Sequence, residues 1–127
     1  MVRAKIKPLL PSLREKKRYL AYEVVSNSRF YDAVNVSKAI LDATKDYLGD
    51  LGMSKAGILP LNDKWNADLQ RGIMRVNHKY VDNLRASLIF VKNIEGKDAI
   101  IKSVGASGIL KKTQQKYLKQ QNSTYTR

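Results

Sequence analysis

Two hydrophobic periodicities alternate along this chain of 127 residues, and their order limits the folds that it can adopt. The stretch 18–26 is rich in Tyr and Val and has one uniformly apolar or aromatic face, which predicts a strand. Over residues 36–47 apolar side chains recur at helical spacing, with Asn35 as a candidate cap and Gly49 as a suitable stop. The chain therefore begins its folded part with a strand followed by a helix.

The middle of the chain predicts two further strands and a second helix. The first strand covers 58–65, and Pro60 near its start favours a sheet edge or a bulge, because proline cannot donate to a β-ladder. The next strand covers 70–76. An amphipathic helix is then predicted over 78–91, with Asn77 as its cap.

The last part of the chain predicts one more strand and a basic helix. Residues 93–98 have the composition of a turn, and the apolar stretch 99–104 predicts the fourth strand. After a break, residues 109–121 predict a basic helix with a thin apolar edge. The final residues, 122–127, are expected to be frayed.

The order of these elements, βαββαβ followed by a helix, predicts an α+β fold. It is the ferredoxin-like arrangement, in which two helices cover one face of a four-stranded antiparallel sheet, here with an added C-terminal helix. The predicted parts are a basic irregular lead-in (1–17), a ferredoxin-like domain (18–107) and a basic helix with its tail (108–127). The RNA-recognition motif shares this architecture, but the third strand carries Arg71 and Arg75 where that motif stacks bases on aromatic side chains. Any use of this sheet face is therefore expected to be electrostatic or protein-mediated.

Positive charge is concentrated towards the two ends of the chain, which has a formal net charge of +13. Residues 1–18 hold seven Lys and Arg side chains against Glu15 alone, and no acid follows Asp98. The body between them, 19–101, is nearly neutral. Clustered positive charge attracts polyanions by neutralising phosphates and releasing counterions, so nucleic acid is the predicted partner class. A surface that merely enhances solubility is the alternative.

Several classes of function are excluded or disfavoured. The absence of cysteine excludes disulfides, a thiol nucleophile and Cys-based metal sites, and it suits a reducing compartment. The longest apolar run, 88–91, is far too short for a membrane span, so a cytoplasmic protein with no membrane partner is predicted. His78 is the sole histidine and the acids are scattered, so this chain alone is expected to be non-catalytic and to bind no metal.

Basic side chains held next to predicted elements are the candidate RNA-binding residues. A basic run that abuts the first strand is expected to contact phosphates from the sheet margin, although a solvated arm is the alternative. The first turn of the second helix favours an anion, with ordinary exposure as the alternative, and the arginines of the third strand could instead pair with Glu23. The candidates are Arg14, Lys16, Lys17, Arg18, Arg71, Arg75, His78, Lys79, Lys111, Lys112 and Lys116.

Three aromatic residues at the ends of predicted loops or strands are candidates for a protein interface. They are Phe30, Tyr31 and Trp65. If exposed, their rings would suggest a partner-protein surface or a base-stacking site. Core packing is the alternative for each of them.

Three blocks of this sequence resemble those of a known family. They are LREKKRYLAYE at 13–23, RGIMRVNHKYVDNLRASL at 71–88 and SGILKKTQQKYL at 107–118. In this order and at these distances they are similar to protein component 2 of archaeal ribonuclease P. The resemblance extends from about Pro11 to Leu118.

The resemblance implies a non-catalytic subunit of ribonuclease P, the ribonucleoprotein that removes the 5′ leader from precursor tRNA. It implies that the RNA carries catalysis with bound magnesium, while the protein binds no cofactor. The implied partners are the ribonuclease P RNA, precursor tRNA and ribonuclease P protein component 3, with hetero-pairs that dimerise through component 2. The alternatives are another small basic RNA-binding protein of ferredoxin-like fold, such as a ribosome-associated factor, and a protein–protein adaptor with incidental basic ends.

Overall fold

The computed structural model describes residues 16–119, which form an antiparallel sheet with helices on both faces. The strands are β1 (Lys17–Ser26), β2 (Leu59–Pro60), β3 (Arg71–Asn77), β4 (Asn93–Ile94) and β5 (Lys97–Ser107). The helices are α1 (Val34–Ala56), α2 (Val81–Ser87) and α3 (Leu110–Thr113), and α3 continues as a π-helical turn over Gln114–Leu118. Short 3-10 turns cover Asn62–Lys64, His78–Tyr80 and Leu88–Phe90. Most of the predicted lead-in and the predicted frayed residues 122–127 lie outside the described part of the chain.

The sheet has the strand order β2-β3-β1-β5-β4, and every neighbouring pair is antiparallel. Apart from the short β4, this is the order of a ferredoxin-like sheet, so the predicted fold is confirmed. The central strand β1 pairs with β3 on one side and with β5 on the other. Its first residues therefore lie beside the last residues of both neighbours, with Lys17 opposite Asn77 and Tyr19 opposite Ser107.

The main core lies between the sheet and the two helices α1 and α2. From β1 it contains Leu20, Tyr22 and Val24, the apolar face that the alternation of this strand predicts. Ile40 of α1 and Leu84 of α2 are fully buried against the same face. Burial of one such side chain stabilises the fold by about 1.5–3 kcal/mol, so these contacts fix β1 firmly in the middle of the domain.

The opposite face of the sheet is covered by the C-terminal helix. Ala21 of β1 and Ile73 of β3 form a second apolar cluster there with Leu118, and Tyr117 packs against it. Tyr117 lies so close to β5 that a Cβ atom at Gly105 would overlap its ring. The face on which an RNA-recognition motif stacks bases is therefore largely occupied by α3 and its π turn.

The second strand is much shorter than the strand predicted over 58–65. Within the predicted range, Leu59 and Pro60 pair with β3 at the edge of the sheet, as the proline indicates, and the chain meets β3 again in an isolated bridge between Asn66 and Arg71. The chain then leaves the sheet in the 3-10 turn Asn62–Lys64, and the side-chain carbonyl of its first residue accepts a hydrogen bond from Ser37 Oγ at 2.6 Å. This polar contact with α1 holds the turn between the two points of pairing with β3, and the apolar pattern alone could not indicate it.

The helices α1 and α2 both differ from the prediction at their ends. Gly49 interrupts α1 with a φ of +77°, but the helix resumes and stops at Gly57, which takes the left-handed cap conformation. The helix predicted over 78–91 consists of α2 flanked by two 3-10 turns, a frequent form of helix ends. Its predicted cap is confirmed, because Asn77 Oδ1 accepts a hydrogen bond from the Lys79 N–H at 3.1 Å. Among residues 16–119, none of the helices is long and apolar enough to cross a bilayer.

The segment predicted as a simple turn at 93–98 is a β-hairpin. Asn93 pairs with Asp98, and the two loop residues Glu95 and Gly96 have φ values of +55° and +75°. Positive φ at both positions is the geometry of a type I′ turn, whose twist matches that of the strands. A glutamate rarely adopts a positive φ, so the sequence of segment 93–98 does not indicate this hairpin.

The terminal helix is shorter than the 109–121 predicted for it. Its π turn ends at Leu118, after which the backbone is extended. Two polar side chains of the sheet region bind its last carbonyls: Arg71 Nη1 donates to Tyr117 O at 2.9 Å, and the Asn66 amide donates to Leu118 O. Carbonyls at a helix end need such partners, so these contacts both terminate the helix and hold it on the sheet.

Burial gives Tyr22 a pH-dependent contribution to stability. Desolvation raises the pKa of Tyr22 to about 12, with a smaller opposing effect from its hydrogen bond to Ser37. Because the folded state retains this proton more strongly than the unfolded state, stability should fall as the pH rises from about 10 to about 12. We expect the loss to approach about 2–3 kcal/mol, measured by urea denaturation across that range. Tyr22→Phe should lack this component, and equal pH dependence of the two proteins would contradict the prediction.

Candidate nucleic-acid interface

The antiparallel sheet brings four separate segments to one end of the domain. They are the start of β1 (16–20), the end of α1 with β2 (55–59), the end of β3 with the following turn (75–80), and the end of β5 with the start of α3 (106–112). We call these segments together the basic end. They belong to one surface because β1 is the central strand and its neighbours both run antiparallel to it.

Specific contacts join the segments of the basic end. The His78 N–H donates to the carbonyl oxygen of Lys16 at 2.8 Å, which ties the first strand to the turn after β3. The Arg18 guanidinium lies against Gly108 at the start of the terminal segment, so the two basic regions of the sequence meet in space. Lys17 Nζ likewise lies against Gly57. The charge clusters that are distant in the sequence are therefore neighbours in the fold.

The basic end contains no acidic residue. Its four segments hold eight Lys and Arg residues and one His, but no Asp or Glu. None of these cations forms an ion pair with a carboxylate of residues 16–119. By contrast, cations elsewhere on the domain, such as Lys45 and Arg85, face carboxylates of their own. A surface of unpaired cations is suited to a polyanion.

The first strand holds its basic residues in a fixed position. Lys17 and Arg18 are part of β1 and pair with Asn77 and Val76 of β3, whereas β5 pairs with β1 from Tyr19 onwards. Lys16 is held through its backbone carbonyl. Lys16 and Arg18 are exposed, while Lys17 is half-buried. Cations on a rigid strand can hold a phosphate backbone in one register without reading its bases. Arg14, a further candidate in this run, lies outside the described residues.

The turn after β3 contributes side-chain charge to this surface. Lys79 is exposed and His78 is half-buried, and both lie in the 3-10 turn before α2. The Lys79 N–H is already satisfied by Asn77, and α2 has only seven residues. The contribution expected from a helix dipole is therefore small, and any contribution of this turn to anion binding would come from its side chains.

The two arginines of β3 have different roles. Arg71 Nη2 lies 3.6 Å from Glu23 Oε1, and its Nη1 donates to Tyr117 O, so this residue pairs internally and holds the terminal helix. Arg75 is half-buried at the basic end, opposite Tyr19 of β1. Of the two, Arg75 stays a candidate for RNA binding, whereas the internal pairing considered for Arg71 with Glu23 is present.

The terminal helix adds exposed lysines. Lys111 and Lys112 lie in its first turn, where it leaves the basic end. Lys116 is exposed further along, with its Nζ 5.6 Å from the ring centre of Tyr117. Lys55 at the end of α1 also belongs to the basic end and is exposed, although nothing in its local sequence marks it. Only the pairing of β2 with β3 brings it there.

The three aromatic candidates are placed differently from one another. Phe30 is buried in the core, with 5% of its surface exposed, so its ring offers nothing to a partner. Trp65 packs against Tyr22 and donates its indole N–H to Phe30 O at 3.1 Å, which makes it mainly a structural residue. Tyr31 is 84% exposed and stays a candidate for an interface.

The described residues contain no cluster of three or more His, Cys, Asp or Glu side chains that could hold a metal ion. His78 stands among the cations of the basic end, in segments without an acidic residue. In this part of the chain, the surface therefore has the composition of a binding site for phosphates rather than of an acid–base centre.

Sequence comparison identifies relatives along almost the whole chain. The family model of the Rpp14/Pop5 family matches residues 18–118. Ribonuclease P protein component 2 of Pyrococcus furiosus is 40% identical over 114 residues, which cover 90% of this chain and 92% of that protein. The proteins of the same name from Pyrococcus abyssi and Methanosarcina acetivorans are each 36% identical. The match with the Pyrococcus abyssi protein covers 91% of this chain and 96% of that protein. The match with the Methanosarcina acetivorans protein covers 90% of this chain and 83% of that protein.

The fold has a counterpart among solved structures. A chain in the cryo-EM structure of yeast ribonuclease MRP superposes with a TM-score of 0.57 and 16% sequence identity. The match covers 75% of this chain and 76% of that chain. At this level of identity the similarity concerns the fold alone.

Proposed function

This chain belongs to the Rpp14/Pop5 family, and on that premise we propose that its basic end binds RNA within ribonuclease P. It is a non-catalytic protein subunit of ribonuclease P, the ribonucleoprotein that matures the 5′ end of tRNA and in which the RNA is catalytic. The task left to the protein is to hold the RNA in an active arrangement.

The observation that carries this proposal is the acid-free basic end. Cations on β1, at the end of β3 and at the start of α3 form one surface, and none of them pairs with a described carboxylate. Because α3 covers much of the sheet face, stacking of bases on the sheet is disfavoured. Contacts to phosphates position an RNA without reading its sequence, which suits a protein that supports a folded catalytic RNA.

We further propose specific partners for this subunit. Its direct ligand would be the ribonuclease P RNA, with precursor tRNA bound in the same complex. Ribonuclease P protein component 3 would be its protein partner, and hetero-pairs of the two would dimerise through this chain. The protein would bind no cofactor of its own, and the magnesium used in catalysis would sit on the RNA. The complex would act in the cytoplasm.

The proposed role predicts faster removal of the 5′ leader at limiting magnesium. The catalytic RNA and component 3 of the same organism would be combined with and without this chain, and cleavage of precursor tRNA would be followed over time. We expect a rate increase of roughly tenfold or more, because the cations of the basic end replace part of the counterion shell that magnesium otherwise provides.

Magnesium itself provides the control for this experiment. At saturating magnesium the difference between the two mixtures should shrink, since the RNA is then neutralised without the protein. Equal rates with and without the chain at limiting magnesium would refute the proposed role.

A further inference from the structure

A groove on the helical side of the domain has exposed aromatic walls. Tyr47 of α1 and Phe90, in the 3-10 turn after α2, have ring centres 5.7 Å apart. The two residues remain 47% and 53% exposed, although their rings contact each other. Large aromatic side chains that are left half-exposed in contact with each other are typical of a surface that a partner covers.

Two adjoining cavities extend this surface along α1. One of about 390 Å³ is lined by Ala43, Asp46, Tyr47 and Phe90. A second of about 640 Å³ shares Ala43, Asp46 and Phe90 with it and continues along α1 to Asn35. Its other wall is the segment 90–95. We call the two cavities together the α1 groove.

The α1 groove has a small net negative charge, although the chain as a whole is strongly basic. Asp42, Asp46 and Glu95 line it together with Lys38 and Lys92. Asp42 pairs with Lys38 at 3.3 Å, but neither of the other two acids forms an ion pair with a cation of residues 16–119. Asp42 and Asp46 also lie four residues apart on one helix, a spacing at which like charges repel each other at a cost to the helix. No contact among the described residues offsets this cost at Asp46.

These charges decide what kind of molecule fits the groove. The two carboxylates without an ion pair within residues 16–119, Asp46 and Glu95, outnumber the one such lysine, Lys92, so the groove disfavours the phosphates of an RNA. The two carboxylates would attract a lysine or arginine side chain, while the rings of Tyr47 and Phe90 accept an apolar one. Aromatic residues at the centre of an interface commonly supply most of its binding energy.

We propose that the α1 groove docks an amphipathic segment of a partner protein. This segment places an apolar side chain against Tyr47 and Phe90 and a basic side chain beside Asp46. The inference rests on the proposed function in one respect, since the partner is taken to be another protein of the same ribonucleoprotein. The domain then binds RNA at its basic end and protein on its helical side.

The test measures binding to component 3 of the same organism by isothermal titration calorimetry. Phe90→Ser and Asp46→Lys should each weaken this binding by about tenfold or more, since the first removes an aromatic anchor and the second reverses the charge that would face the partner's basic side chain. Ile100→Ser, at an exposed apolar position on β5, and Asp68→Lys, at an acid outside the groove, are the matched controls and should bind as the wild type does. The dissociation constants for RNA should be the same for Phe90→Ser and the wild type.

Several outcomes would overturn the inference. It is refuted if the wild type does not bind component 3, or if both groove variants bind it as tightly as the wild type. If Phe90→Ser instead abolishes self-association of this chain, the groove is a contact between copies. If Phe90→Ser instead loses RNA affinity, the groove contacts RNA. The proposed role in leader removal is tested separately by the cleavage assay, which uses only the wild-type chain and does not depend on the groove variants.

Discussion

Replacing Lys16, Lys17 and Arg18 together with alanine is expected to weaken the binding of ribonuclease P RNA by roughly hundredfold near 0.1 M salt. Three exposed or half-buried cations at about 1 kcal/mol per neutralised phosphate give a change of this size. The slope of log K against log salt should also become shallower by about 0.7–0.9 for each phosphate that the variant no longer neutralises. Because contacts to phosphates carry no sequence information, the weakening should be similar for RNAs of different sequence.

A matched control removes the same charge from another part of the domain. Lys45, Lys64 and Arg85 each face a carboxylate, at distances of 3.5, 3.6 and 3.0 Å. Their replacement with alanine lowers the net charge by the same amount but should leave the salt slope nearly unchanged. Equal effects of the two triple variants would mean that RNA responds only to the total charge. An unchanged slope in the first variant would mean that the start of β1 binds no phosphate.

Gly105→Ala is expected to destabilise the protein by about 2 kcal/mol, because the new Cβ would overlap the ring of Tyr117. The helix cannot simply move away, since Arg71 and Asn66 hold its last carbonyls. In the double variant with Tyr117→Ala the added methyl should cost little more than Tyr117→Ala alone. Urea denaturation of the four proteins gives this coupling directly.

Gly108→Ala is the control for the effect of an added methyl group. There the new Cβ would meet Arg18 Nη1 at 2.9 Å, the end of a flexible side chain that can shift. We expect a change of less than about 0.5 kcal/mol. Additive effects of the changes at Gly105 and Tyr117 would show that the terminal helix does not pack on β5 as described.

Much of the fold can be predicted from the sequence because the core follows simple periodicities. The alternation at Leu20, Tyr22 and Val24 places them correctly on the buried face of β1, and Asn77 caps its turn as expected. Errors arise where polar contacts between distant residues override the local pattern. Asn62 binds Ser37 of α1 where β2 ends, and the positive φ of Glu95 forms a hairpin that the composition of this segment does not indicate.

The candidate site is only partly encoded in local sequence. A basic run can be recognised anywhere, but whether its charges remain free depends on their neighbours in the fold. Arg71 and Arg75 look equivalent in the sequence, yet Arg71 meets Glu23 and the terminal helix while Arg75 faces the basic end. The local sequence does not indicate that Lys55 lies on this surface or that Arg18 contacts Gly108. The order of the strands in the sheet determines both positions.

The central position of β1 also affects how the protein is made. This strand leaves the ribosome first among the described elements, but its partners β3 and β5 follow much later, and β5 is the last strand. Pairings between such distant segments form slowly, so β1 must wait with one edge open until most of the chain has been synthesised. Lys16 and Arg18 are present from the start, whereas the surface that they share with the terminal helix exists only after β5 has joined. RNA binding of the proposed kind is thus expected only after β5 and the terminal helix have been synthesised and have joined the sheet.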